Sequence, residues 1–133
     1  MDYVVIDRKA YDVLVMEIEE GFEILYTENT GRTIAPGAPL SLDPLGTFIN
    51  HTVTFKRKQG KEAEFDALFN FLLQPRSEGF LVDMVHDQTT LNYKAYCSNG
   101  SRKLLRILKD KRIVDWDKIT VKFIPTEAQV LPL

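Results

Sequence analysis

One stretch limits the possible folds more than any other: His51 to Pro75, where the hydrophobic period changes without a linker. In HTVTFKRKQG, Val53 and Phe55 alternate with Thr52, Thr54 and Lys56, the period of a half-buried strand. In KEAEFDALFNFLLQP the period becomes helical, with Phe65, Leu68, Phe69, Leu72 and Leu73 on one stripe. Glu62 and Glu64 occupy the first turn, at the positive end of the helix dipole, and Pro75 stops the helix. So the spacing predicts a helix over about 61–74. Burying one stripe does not repay the ordering of a whole helix, so this one needs a sheet to lie on.

The rest of the chain reads as that sheet. Residues 3–6 and 11–28 are early strands. Leu14, Met16 and Ile18 share one face, and Phe22, Ile24 and Tyr26 continue after Gly21. Glu19-Glu20-Gly21 reads as a tight turn between two antiparallel strands, and a helix over 11–20 is the competing reading. After the helix, Phe80, Val82 and Met84 line one strand face. Asp87-Gln88 turns the chain, and Leu91, Tyr93, Ala95 and Cys97 return. Asn99-Gly100 is the strongest hairpin signal, because type I′ turns need positive φ at both central residues. RKLLRILK is the next strand, DKRIVDWD a polar connection, and KITVKFI the last strand with Ile119, Val121 and Phe123 inward. The expected class is mainly β (α+β): an antiparallel β-sandwich or barrel with one packed helix, in a single domain over 1–133.

Residues 29–50 break the pattern. NTGRTIAPGAPLSLDPLGTFIN carries three glycines and three prolines and holds no period. Ile34, Leu40, Leu42, Leu45, Phe48 and Ile49 make it too apolar for a plain linker. Apolar side chains on such an arm need a partner surface, in the same subunit or in a neighbour, and a neighbour is the preferred reading. Phe71 lies off the centre of the helix stripe. It either widens the buried face or reaches a neighbouring subunit.

Charge is asymmetric although the net value is only −2. Residues 1–50 carry nine acids against three bases, and residues 51–133 carry ten against fourteen. Faces of opposite sign fit head-to-tail association, and they also fit ordinary solvated strands. Two basic clusters, Lys56/Arg57/Lys58/Lys61 and Arg102/Lys103/Arg106/Lys109/Lys111/Arg112, raise nucleic acid as a partner. Alternating strands would split them between faces, and a pI near 5.7 argues against a general phosphate-binding surface. Direct sequence-specific nucleic-acid binding is therefore not expected.

Catalytic patterns are absent. His51 and His86 stand far apart, and Asp83-x-x-His86-Asp87 lies on a strand and its turn, where successive side chains alternate faces, so no metal is expected. Cys97 falls on an apolar strand face and reads as a buried thiol. The serines lack a nucleophile-elbow setting. No cofactor and no enzymatic activity are expected. No apolar run is long enough to span a bilayer, and MDYVVIDRK does not read as a signal peptide.

NTGRTIAPGAPLSLDPLGTF, HTVTFKRKQGKEAEFDALFNFLLQP and LNYKAYCSNGSRKLLRI followed by WDKITVKFIP resemble small tail proteins of phages and prophages of Gram-positive bacteria, of the tail-tube and distal-tail type. The resemblance implies a β-sandwich with a flanking helix, assembled as a hexameric ring around the tail axis. Its partners would be copies of itself and other tail proteins, in a virion tail made in the bacterial host cytoplasm. Long loops in such proteins reach adjacent subunits, a role that would fall here to Arg32, Pro36, Leu40, Leu42 and Phe48, with Phe71 as a further contact. A receptor- or carbohydrate-binding β-sandwich is the alternative, and it would need an exposed aromatic platform from Tyr93, Tyr96 and Trp116. A small hydrolase would need His86 and Cys97 side by side in an open cleft.

Overall fold

A computed structural model describes residues 4–111 and 113–133. Tyr3, at the start of the first expected strand, and Arg112, in the second basic cluster, lie outside the described residues. The chain is mainly β, a curled antiparallel sheet with one helix, as the sequence predicts. The strands are β1 (Val4–Ile6), β2 (Leu14–Tyr26), β3 (Gly31–Arg32), β4 (Leu40–Ser41), β5 (Pro44–Lys56), β6 (Phe80–His86), β7 (Thr89–Tyr96), β8 (Gly100–Leu108) and β9 (Ile113–Pro125). The helix α1 runs Glu62–Leu73 between β5 and β6.

The main sheet has the order β1-β6-β7-β9-β5-β2, with β8 also on β9. Alternation selects its inner face. Val53 and Phe55, Val82 and Met84, Tyr93 and Ala95, and Ile119, Val121 and Phe123 are all buried. Helix α1 sets Phe65 and Leu68 into the same core, with Phe69, Phe71 and Leu72 packed against it. Leu73 fits the helical stripe but is 59% exposed, because the last turn runs past the core. Asp87-Gln88 makes the two-residue β6–β7 turn, with Asp87 at positive φ.

The structure corrects four local expectations. β2 passes straight through Glu19-Glu20-Gly21, so there is no hairpin there. Gly21 sits opposite Asn50, whose Oδ1 would lie 3.1 Å from an added Cβ, so the glycine makes room for a cross-strand neighbour. Asn99-Gly100 is not a hairpin turn either. β7 and β8 follow the same edge of β9, with Tyr96 opposite Ile124 and Gly100 opposite Val121, and the chain bulges between them. Residues 113–117, expected as a polar connection, already belong to β9. The arm is also shorter than expected, since residues 44–50 are the first half of β5.

β5 pairs with β9 only from His51 to Lys56. The β2–β5 ribbon therefore continues past β9 at the Pro44 end, and the β8–β9 ribbon continues past β5 at the Ile113 end. The two project from opposite ends of the sheet.

Candidate functional site

The arm, now residues 27–43, hangs from the β2–β5 ribbon. Its base is stapled: the Thr27 hydroxyl donates to Asp43 Oδ2 at 2.5 Å, and the Asp43 amide donates to Thr30 Oγ1 at 2.8 Å. Beyond that base, β3 and β4 form a minimal hairpin in which Arg32 lies opposite Leu40. The Arg32 guanidinium donates to the Ala38 carbonyl at 3.3 Å. Arg32, Pro36, Leu40 and Leu42 are all exposed, so the arm does not pack into its own core. Phe48 and Phe71 are not part of it. Phe48 is half-buried on the outer face of β5, opposite Glu23. Phe71 meets Phe80 edge-on with ring centres 5.3 Å apart, and Arg76 covers it at 3.7 Å, so the ring lies within its own chain.

Both projecting ribbons are apolar at the surface. Phe22 is 72% exposed and Ile24 41% on one, and Leu105 and Ile107 are 53% exposed on the other. Uncovered apolar side chains on a projecting ribbon mark a surface suited to association. Sequence alternation found several of these residues. It put Phe22 and Ile24 on one strand face, but nothing in the pattern tells where a strand outruns its partner.

The aromatic platform does not form. Tyr93 is buried, Trp116 lies under the Arg102 guanidinium at 3.9 Å, and Tyr96 alone of the three is exposed. His86 and Cys97 flank opposite ends of β7, roughly 26 Å apart at strand rise, and do not meet. A cleft of about 400 Å³ separates the end of α1 from the β7–β8 bulge, lined by Leu72, Leu73, Pro75, Cys97 and Val121. Burial raises the Cys97 thiol pKa, partly offset by Arg76. The first basic cluster is partly paired within the chain: Lys58 and Lys61 meet Asp12 at 2.6 and 3.5 Å, and Arg57 meets Glu62 at 3.2 Å. In the second, Arg102 pairs with Asp66 at 3.1 Å and Arg106 with Asp115 at 2.7 Å.

One polar cluster escaped the sequence reading. His51, fully buried on β5, hydrogen-bonds through Nδ1 to the Tyr93 hydroxyl and through Nε2 to Glu20 Oε2, both at 2.8 Å. His86 Nδ1 reaches the same Glu20 oxygen at 2.8 Å. A carboxylate only accepts, so His51 Nε2 carries the proton and Nδ1 accepts from Tyr93. Burial pushes the Glu20 pKa up, but the hydrogen bonds from His86 and His51 outweigh it, and the net shift is downward. Burial lowers His51 against the pull of Glu20, and the Glu20 bond raises His86. Burial raises the Tyr93 phenol. The signal was present: His51 is in phase with Val53 and Phe55, which points it inward.

No protein-family model matches the chain, and no curated protein matches it either. Among the described residues no helix is long and apolar enough to cross a membrane.

Proposed function

We propose that this chain is a non-enzymatic structural subunit that assembles head-to-tail with copies of itself, as a component of a phage or prophage-derived tail or baseplate. One observation carries the reading. In the sub-sheet β2-β5-β9-β8 adjacent strands alternate in direction, and its two outer strands differ in charge. β2 carries Glu17, Glu19 and Glu23, and β8 carries Arg102, Lys103 and Arg106. Among the described residues β2 pairs only with β5 and β8 only with β9, so each offers an open edge.

Because β2 and β8 run in opposite directions, a copy rotated about an axis along the strands lays its β8 antiparallel to β2. Two acidic edges repel, so like-with-like pairing is disfavoured and unlike edges meet. Head-to-tail contacts of this kind close into a ring when the rotation closes, and the hexamer implied by the tail-protein resemblance is the ring proposed. The arm and the two apolar ribbon ends would then contact neighbouring subunits or other tail proteins.

The test is mass in solution by light scattering over a concentration series, with negative-stain imaging of any large species. Rings or short tubes support the reading. The triple reversal Glu17→Lys, Glu19→Lys, Glu23→Lys should lower assembly at least tenfold in concentration while the circular dichroism spectrum is kept. A wild-type chain that stays monomeric at every concentration, alone and with tail proteins added, would sink it.

A further inference from the structure

The cluster around His51 joins strands that are far apart in the sheet order. Glu20 lies on β2, one edge of the sheet, and His51 stands directly opposite it on β5. Tyr93 lies on β7 and His86 at the end of β6, near the other edge. Two contacts of 2.8 Å, His51 to Tyr93 and His86 to Glu20, therefore cross the curl of the sheet, and the third, His51 to Glu20, ties them together across the paired strands β5 and β2. We propose that Glu20, His51, Tyr93 and His86 form a pH-operated clasp that holds β2 against β6 and β7 most tightly near neutrality and releases it in acid. The clasp works within one chain, whether or not copies assemble.

The geometry supplies the mechanism. Both His51 nitrogens are in use, one donating to Glu20 and one accepting from Tyr93. A proton entering from solvent must take Nδ1, the position into which the Tyr93 hydroxyl already donates. The Tyr93 hydroxyl must then turn its hydrogen away so that its oxygen can accept, and at a fully buried site that hydrogen loses its acceptor. The charged groups facing the cluster are the Glu20 carboxylate from β2, the His86 imidazole from β6 and the Asp87 carboxylate of the β6–β7 turn, 3.7 Å from His86 Nε2. β9 contributes Phe123 opposite His51, with no charge. A second imidazolium beside His86 would share one carboxylate.

The two histidines act with opposite signs. His86 is held above its ordinary 6.5, so its protonation favours the closed clasp, and that help is lost as pH rises through its folded value. His51 is held below 6.5, so the open form takes its proton more readily, and opening grows as pH falls below 6.5. Opening is thus least near the ordinary histidine value. It rises about tenfold per pH unit on the acid side until His51 titrates in the closed form. Glu20, held below its ordinary 4.5, extends the release at still lower pH.

The experiment is hydrogen exchange of the β2 and β6 backbone amides from pH 5 to 8.5, corrected for intrinsic rates, with imidazole NMR titration of both histidines. The expected profile is a minimum with two limbs. His51→Gln keeps a donor and an acceptor without a titrating proton and should remove the acid limb. His86→Asn should remove the alkaline limb and leave the acid one. Tyr93→Phe removes the opposing donor, so the His51 titration should move up and the acid limb shorten. If His51→Gln does not fold, the wild-type titration and Tyr93→Phe still decide. A flat wild-type profile across the His51 titration, or an acid limb that persists in His51→Gln, would overturn the clasp.

Discussion

Gly46 and Ala128 are packed so closely that a β-carbon on Gly46 would lie 2.6 Å from the Ala128 methyl and 3.0 Å from the Val130 carbonyl oxygen. Gly46 also has φ near +149°, a region that side chains avoid. This contact seats the C-terminal segment on the edge of β5 beyond the reach of β9. There the Thr47 amide donates to Val130 at 2.8 Å, and the Gln129 side chain bridges the Ile49 amide and carbonyl at 2.9 and 2.8 Å. Gly46→Ala must push this segment away. The expected result is a loss of about 1–3 kcal/mol of stability and faster exchange of the Thr47 and Ile49 amides. Unchanged exchange at those two amides would show that the segment is not held by this contact.

Phe71 gives the second prediction. Its ring lies edge-on to Phe80 at 5.3 Å, tilted to Tyr11 at 6.4 Å and under Arg76. Arg76 also donates to the Phe71 and Gln74 carbonyls at 2.8 and 2.9 Å, which closes the end of α1. Phe71→Ala should therefore cost the monomer about 2–3 kcal/mol in urea unfolding, the low end for a phenylalanine because the ring is only half-buried. An interface role alone would leave monomer stability unchanged and lower assembly instead.

The arm behaves in the opposite way. Leu40 and Leu42 are 46% and 58% exposed, and neither belongs to the core cluster. The double variant Leu40→Ala, Leu42→Ala should shift monomer stability by less than about 0.5 kcal/mol. It should also raise the concentration needed for assembly. A strongly destabilised monomer would mean that the arm folds back onto its own body.

What the sequence showed, and what it hid, divides along physical lines. Strands buried on one face were legible because alternation is imposed by the pleat: Val53/Phe55, Val82/Met84 and Ile119/Val121/Phe123 all point where their period says. Glycines misled because the same residue serves two needs. Gly21 was read as a turn and Gly100 as half of a type I′ hairpin, yet both make room for a paired strand. An added Cβ at Gly100 would come within 3.2 Å of the Thr120 carbonyl. The charges of DKRIVDWD hid the start of β9, where Asp115 is buried by pairing with Arg57 and Arg106 at 3.7 and 2.7 Å. The cluster around His51 was hidden by distance: Glu20 and His86 lie 66 positions apart, and only the curl of the sheet brings them together.

Cys97 offers a direct probe of how α1 is docked. Its Sγ lies 3.9 Å from the Leu72 carbonyl, in the cleft between the helix end and the β7–β8 bulge. Burial raises the thiol pKa above its ordinary 9.0, so less thiolate is present at any pH than in an exposed cysteine. Iodoacetamide at pH 8 should therefore alkylate the native chain clearly more slowly than the urea-unfolded chain, because the buried thiol is less ionised and less accessible. Phe71→Ala, which loosens the last turn of α1, should recover much of the lost rate, because the Leu72 carbonyl and the cleft wall move away from the sulfur. Leu40→Ala with Leu42→Ala should leave the rate unchanged, because the arm lies outside the cleft. A native rate equal to that of the unfolded chain would mean that the helix end does not cover Cys97.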